Sequence, residues 1–112
     1  MNLSKNKLIH FLFLVLISSF ANAQEKITIT GQVVNRDAQQ PLAFVTITVN
    51  DSESHKTITG TITDEAGFFA ISELPIGNYE VEVSFMGFQT YSKQIIAGGL
   101  NPIFDLGKIQ LS

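Results

Sequence analysis

The chain alternates apolar and polar residues in short segments, with the period of two that is typical of β-strands. Seven such segments occur, at residues 27–34, 44–49, 57–63, 69–71, 79–85, 88–96 and 104–111. Turn-forming residues separate the segments at intervals of about ten residues, and no window sustains the 3.6-residue period of a helix. The pattern therefore predicts an all-β protein, a seven-stranded antiparallel β-sandwich.

The alternation also predicts which side chains fill the space between the two sheets. In residues 57–63 it places Ile58 and Ile62 in the core and the threonines in solvent. In the last segment the apolar positions change parity between Leu106 and Ile109, which predicts a β-bulge at Gly107-Lys108. The complete predicted core is Ile27, Ile29, Gly31, Val33, Val45, Ile47, Val49, Ile58, Ile62, Phe69, Ile71, Tyr79, Val81, Val83, Phe85, Phe104, Leu106, Ile109 and Leu111.

Residues 1–23 differ from the rest of the chain and have the three parts of a secretory signal. Lys5 and Lys7 form a positive n-region, residues 8–20 are mostly apolar, and Ala21-Asn22-Ala23 places small residues before a cleavage point. This apolar run is shorter than the roughly 20 residues that a transmembrane helix needs. We therefore expect a signal-peptide helix at residues 1–23, removed on export, and one domain at residues 24–112.

The composition of residues 24–112 limits their chemistry. They keep five of the seven Lys and Arg residues and all ten acids, which gives a formal net charge of −5 and disfavours binding to nucleic acid. The absence of cysteine excludes disulfides, a lipidated cysteine and a thiol nucleophile. His55 is the only histidine of residues 24–112, so neither a zinc site with two His nor a triad with Ser84 or Ser92 is expected there. We predict no catalytic, cofactor-binding or metal-binding residues, no cofactor and no enzymatic activity.

Two adjacent acids, Asp64 and Glu65, precede Gly67 between two predicted strands. Asp is favoured at the first position of a turn and Gly supplies a positive φ, whereas a calcium loop needs several oxygen ligands spread over about a dozen residues. We interpret residues 63–67 as a turn, with an adventitious cation site as the alternative. Residues 74–79, Leu-Pro-Ile-Gly-Asn-Tyr, predict a second turn that closes over one end of the core.

The predicted surface is rich in threonine, because eight of the nine Thr residues fall in three of the predicted strands. Thr suits an exposed β face, which is the simpler interpretation. The alternative is a flat polar docking surface, or a sheet edge that a partner strand extends. Phe44, Phe68 and Phe88 interrupt otherwise polar positions and would either anchor a partner or cap the ends of the sandwich.

Five motifs, in order, resemble the carboxypeptidase regulatory-like domain. They are Gly31-Gln32-Val33-Val34, Pro41-Leu42-Ala43-Phe44-Val45-Thr46-Ile47, Thr63-Asp64-Glu65-Ala66-Gly67-Phe68-Phe69, Leu74-Pro75-Ile76-Gly77-Asn78-Tyr79 and Met86-Gly87-Phe88. The resemblance covers residues 27–111 and implies a transthyretin-like (prealbumin-like) sandwich. It is closest to the version found at the N-terminus of TonB-dependent outer-membrane transporters and related β-barrel proteins of Bacteroidetes, where the domain lies in the periplasm.

The resemblance implies a non-catalytic exported module with a protein partner in the cell envelope: a transporter plug or barrel, the TonB machinery or a partner lipoprotein. It implies no nucleic acid, and contact with the membrane only through a downstream barrel or a partner. Hydrolases that share the transthyretin fold end in Tyr-Arg-Gly-Ser, which this sequence lacks. A free-standing secreted or surface protein that acts as an adhesive or spacer is the alternative. Both a stand-alone protein and the first part of a longer one are compatible with the resemblance.

Overall fold

The structure is a computed structural model that describes residues 25–98 and 101–112, and the predicted signal peptide lies outside them. Its elements are seven strands: β1 (Lys26–Asn35), β2 (Thr46–Asp51), β3 (Thr57–Ile62), β4 (Phe68–Pro75), β5 (Gly77–Ser84), β6 (Tyr91–Ala97) and β7 (Ile103–Leu111). Each predicted segment overlaps one strand, so the prediction of seven strands is confirmed. Within the described residues no helix is long and apolar enough to cross a membrane.

The strands form two sheets, one of three strands in the order β4-β1-β7 and one of four in the order β3-β2-β5-β6. Four strand pairs are antiparallel, as predicted for the sandwich. The fifth pair differs from the prediction, because β1 and β7 run parallel. Parallel neighbours need a crossover connection, and β2 to β6 supply it because they lie between β1 and β7 in the chain.

The core lies between the two sheets and consists almost entirely of aliphatic side chains, with Phe69 and Tyr79 as its aromatic members. Gly31 occupies a core position of β1 where a Cβ would lie 2.7 Å from the Phe69 ring, so the ring packs directly on the backbone. Leu74 and Tyr79 are buried in this core, and Ile76 alone separates β4 from β5 within the predicted turn at residues 74–79. Each fully buried aliphatic side chain contributes about 1.5–3 kcal/mol, so this core stabilises the domain without disulfides.

Strand β7 contains the predicted bulge. Thr30 pairs with Asp105 and Gln32 with Lys108, so β7 carries one more residue than β1 over this interval. Gly107 has a φ of 68°, and its N–H donates to Oδ1 of Asp105 over 2.9 Å. The extra residue brings Ile109 and Leu111 into the core. The predicted bulge at Gly107-Lys108 is confirmed.

Strand β3 faces the other way from the prediction. Thr61 lies opposite Ile47 and Thr59 lies opposite Val49, so these threonines share the inner face with buried residues of β2. Ile58 and Ile62 point outward and are 45% and 56% exposed. Their predicted place in the core was therefore wrong.

Thr63, directly after β3, explains the orientation of that strand. Its side chain is 1% exposed, and its hydroxyl donates to the Leu42 carbonyl over 2.7 Å and accepts from the Val45 N–H over 2.9 Å. A buried backbone group without a partner costs about 1–3 kcal/mol, so these bonds hold Thr63 inward. Because side chains alternate along a strand, Thr61 and Thr59 then also face inward and the isoleucines face outward.

Candidate interaction surfaces

The segment around Asp64 is a turn, as predicted. The Asp64 carboxylate accepts from the N–H groups of Ala66 and Phe68, both over 2.9 Å. Gly67 has a φ of 81°, and a Cβ there would lie 2.5 Å from the Val33 carbonyl oxygen, so only glycine fits. Asp64 therefore organises the backbone that leads from one sheet to the other. Across residues 25–98 and 101–112, no group of three or more His, Asp or Glu side chains is arranged to hold a metal ion.

The residues considered for catalysis lie apart. His55 is exposed in the loop between β2 and β3, where its N–H donates to the Asp51 carbonyl at the end of β2. Ser84 lies opposite Thr46, at the start of β2. The length of β2 therefore separates His55 from Ser84, and Ser92 lies opposite Glu82 on the outer face of the four-stranded sheet.

The outer face of the four-stranded sheet is polar along β5 and β6. Gln94 donates from Nε2 to the Glu80 carboxylate over 2.8 Å, and the Ser52 hydroxyl donates to Oε1 of Gln94 over 2.9 Å. The hydrogen bond with Glu80 is the main cause that raises the pKa of the Glu82 carboxyl above its ordinary value, and partial desolvation adds to it. This part of the surface is an acidic, hydrogen-bonded network.

The β3 side of the same face is apolar. Ile58 and Ile62 lie there at the edge of the sheet. Phe44, whose N–H donates to the Thr63 carbonyl, is 61% exposed and has a φ of 60°, a conformation that is strained for a bulky residue. Two of the interrupting phenylalanines, Phe44 and Phe68, are thus exposed, whereas Phe88 packs against Phe85 with ring centroids 5.9 Å apart.

The threonines do not form one surface. Those of β1, Thr28 and Thr30, lie on the three-stranded sheet, and Thr46 and Thr48 lie on the outer face of the other sheet. Of the threonines of β3, Thr59 and Thr61 face inward, whereas Thr57 is exposed opposite Asn50. The single Thr-rich docking face that the sequence suggested is therefore divided among three places.

A groove of about 390 Å³ lies on the three-stranded sheet. Across it, Phe68 of β4, Gln32 of β1 and Lys108 of β7 stand in one row, because Gln32 pairs with both neighbours. The next row contains Ala70, Thr30 and Asp105. Phe68 supplies an exposed ring, and the bulged β7 supplies one negative and one positive side chain. The sequence did not reveal this groove, because it depends on the register of three strands that are distant in the chain.

The comparisons with known proteins agree with this fold. The model of the carboxypeptidase regulatory-like domain family matches residues 28–105. No curated protein sequence matches the chain significantly.

Three solved structures illustrate how widely the fold occurs. The TIE protein of Bacillus anthracis is 20% identical with a TM-score of 0.65, and the match covers 78% of this chain and 17% of that one. BcpA, the major pilin subunit of Bacillus cereus, is 13% identical with a TM-score of 0.63, covering 78% and 30%. A 5-hydroxyisourate hydrolase of Klebsiella pneumoniae is 17% identical with a TM-score of 0.59, covering 77% and 91%. This chain thus spans less than a third of the first two proteins. At these identities the likeness concerns the fold alone, and it is the family match, together with the seven-stranded sandwich, that shows the chain to belong to the carboxypeptidase regulatory-like domain family.

Proposed function

We propose that this chain is a non-catalytic exported module that acts by binding a protein in the cell envelope. The family match over residues 28–105 carries the proposal. The positive, apolar and small-residue parts of residues 1–23 support export. The separation of His55 from Ser84 supports a role without catalysis, because a triad needs its base within hydrogen-bond reach of the nucleophile.

The finer proposal is a periplasmic accessory domain at the N-terminus of, or associated with, a TonB-dependent outer-membrane transporter. Its support is the order of the five sequence motifs, which resembles the version of the domain in those transporters. The partner would be the plug or barrel of the transporter, the TonB machinery or a lipoprotein of the same system. The acidic face of β5 and β6 and the groove beside Phe68 offer surfaces for such a partner.

A free-standing secreted or surface module is the second candidate, and two pilus proteins with this fold support the surface role. BcpA is described as a major pilin subunit, and a similar protein of group B streptococcus, 14% identical with a TM-score of 0.56, as a pilus backbone protein. The present chain corresponds to 30% and 40% of these proteins, so the fold serves there as one part of a larger subunit. A spacer or adhesive role needs no active site.

Fractionation of cells that express the chain with its own leader tests export. We expect the periplasmic form to begin at Gln24 by intact-mass measurement. A variant in which Lys5 and Lys7 are both replaced by Glu should remain in the cytoplasm, since the n-region must be positive. Recovery of the unaltered chain from the cytoplasm with its leader attached would contradict the proposal.

Cross-linking in the envelope of the native host separates the two candidates. Capture of a transporter component from detergent-extracted outer membrane supports the accessory domain. Recovery from the cell surface or the medium, without a transporter component, supports the free-standing module. Hydrolysis of peptides or of 5-hydroxyisourate by the purified chain would contradict the non-catalytic role in either case, and its loss in His55→Ala would identify His55 as the catalytic base.

A further inference from the structure

The four edge strands of the two sheets are protected to different degrees. Strand β6 carries Lys93, β4 is irregular at Glu73, which has a φ of 62°, and ends at Pro75, and β7 contains the bulge at Gly107. Charged side chains, prolines and bulges are the devices that prevent edge strands from pairing with other chains. Strand β3 (Thr57–Ile62) has neither a charged residue nor a proline. Its one irregularity is near its start, where Ile58 is an extra residue between the pairs of Thr57 and Thr59, and its pairing with β2 is regular from Thr59 to Ile62. It is the edge best suited to accept another strand.

The sequence of this edge identifies the strand that fits it. Residues 57–63 read Thr-Ile-Thr-Gly-Thr-Ile-Thr, the same in both directions about Gly60. If two copies pair in antiparallel fashion about a two-fold axis at Gly60, glycine lies opposite glycine at the axis. Each Ile58 then lies opposite Ile62 of the second copy, and each Thr59 opposite Thr61. The segment is therefore complementary to itself.

The backbone of β3 is oriented for this pairing. The Thr63 N–H donates to the Val45 carbonyl over 3.0 Å, so the backbone groups of Thr63 point toward β2. Because these groups alternate along an antiparallel strand, those of Gly60 and Ile62 point to the free edge. Within the described part of the chain, β3 pairs with β2 alone. The two-fold axis at Gly60 thus coincides with backbone groups that are available for hydrogen bonds.

We propose that β3 pairs with β3 of a second copy of this chain and forms a symmetric dimer with one continuous eight-stranded sheet. On the outer face the pairing joins the exposed Ile58 and Ile62 side chains across the axis, and on the inner face it joins Thr59 to Thr61. Branched pairs and Thr pairs directly opposite each other stabilise antiparallel strands. The contact is isologous and uses one edge of each copy, so it closes at two chains instead of growing into a fibre. It follows from the β3 edge alone and is independent of the proposed role in the envelope.

Sedimentation equilibrium of the purified chain, in whichever processed form the cell yields, tests the dimer. Because one strand pair buries less than the roughly 1,600 Å² of a standard interface, we expect a dissociation constant of about 10–100 µM. A chain that remains monomeric up to about 1 mM would overturn the proposal. The proposal would then be wrong even if β3 accepted a strand of another protein.

Charge variants locate the contact. Ile58→Lys with Ile62→Lys places like charges opposite each other and should weaken the dimer at least about tenfold, as should the pair Ile58→Glu with Ile62→Glu. An equimolar mixture of the two variants should restore a dimer, because every lysine then meets a glutamate. Ile96→Lys is the matched control, since Ile96 is 81% exposed on the outer face of β6, the opposite edge of the same sheet, and the dimer should persist. Melting temperatures confirm that each variant folds. Dimers that survive both double substitutions, or that Ile96→Lys abolishes, would overturn the assignment to β3.

Discussion

Strands β7 and β3 both lie at a sheet edge, yet they divide their side chains in opposite ways. In β7 the apolar Ile109 and Leu111 are buried, and Gln110 between them is exposed. In β3 the isoleucines are exposed, whereas Thr59 and Thr61 lie half-buried on the inner face. The core therefore takes Ile109 and Leu111 from β7, although Ile103 at the start of that strand is 55% exposed, and it takes neither isoleucine from β3.

The difference shows that a hydrogen bond can determine the orientation of an edge strand. Burial of an isoleucine contributes about 1.5–3 kcal/mol, but only where the opposite sheet covers it. The opposite sheet has three strands against four, so β3 lies at the margin of the sandwich. There the two buried bonds of Thr63 outweigh the gain from turning Ile58 and Ile62 inward.

The largest expected effect concerns the buried side chains of β7. Ile109→Ala should lower the free energy of unfolding by about 2–5 kcal/mol, because it leaves a cavity in the core. Ile62→Ala, the matched change in β3, should alter it by no more than about 0.5 kcal/mol, because that side chain is largely in solvent. Urea denaturation at a protein concentration where the chain is monomeric measures both. Equal losses for the two variants would refute the difference between the strands.

A hydroxyl deletion tests the cause of the β3 orientation. Thr63→Val keeps the side-chain shape but leaves the Val45 N–H and the Leu42 carbonyl without partners, which should cost about 1–3 kcal/mol. Thr61→Val is the control, since it places a methyl group on the same face at a half-buried position, and it should be neutral or slightly stabilising. Thermal unfolding followed by circular dichroism measures both variants. A Thr63→Val protein as stable as the parent would remove the hydrogen bonds as the explanation.

The bulge in β7 should depend on the backbone conformation of Gly107 and not on the absence of a side chain that would clash with its neighbours. No atom lies within 4 Å of a Cβ built at Gly107, whose φ is 68°. Gly107→Ala should therefore cost only the left-handed backbone penalty, about 1–2 kcal/mol, and Gly107→Asn should cost less because Asn tolerates that conformation. The same denaturation measurements apply. A loss as large as that of Ile109→Ala would mean that the bulge is placed incorrectly.

The smallest expected effect concerns the polar outer face of β5 and depends on pH. The pKa of Glu82 is raised in the folded state, so the stability from this group is present below the unfolded pKa and is lost as the pH rises through the folded pKa. Glu82→Gln should raise the melting temperature slightly at neutral pH and not at about pH 3.

Substitution of Asp51 should change the melting temperature in the opposite direction. The N–H groups of Ser54 and Glu53 hold its pKa below the usual value, so its contribution is present above the unfolded pKa and lost as the pH falls. Asp51→Asn should therefore lower the melting temperature at neutral pH and have no effect in strong acid. An effect of the same sign for both variants would contradict these assignments.

The sequence was sufficient for β7 and insufficient for β3 for a physical reason. In β7 two apolar pairs of different parity can both approach the core only if an extra residue lies between them, so the local pattern has one solution. In β3, Thr and Ile are both β-branched and both suit a strand, so the alternation defines two faces without deciding which is inside. That choice depends on Leu42 and Val45, which contact Thr63 from elsewhere in the chain.

The sequence also did not predict which distant strands pair with each other. The parallel pair of β1 and β7 joins the two ends of the domain, and the groove beside Phe68 requires the register of β4, β1 and β7 together. The turn at Asp64 and Gly67 was predictable because its hydrogen bonds are local.

The central claim is that the isoleucine side chains of β3 point outward, and labelling of a single cysteine tests it most directly. The chain has no cysteine, so Ile62→Cys and Ile109→Cys each introduce one unique thiol. Under native conditions and at a concentration that favours the monomer, the thiol of Ile62→Cys should react with a maleimide nearly as fast as in the unfolded chain. The thiol of Ile109→Cys should react at least about 100-fold more slowly, because labelling there requires opening of the core. A thiol at position 62 that is protected as strongly as the one at position 109 would contradict the account.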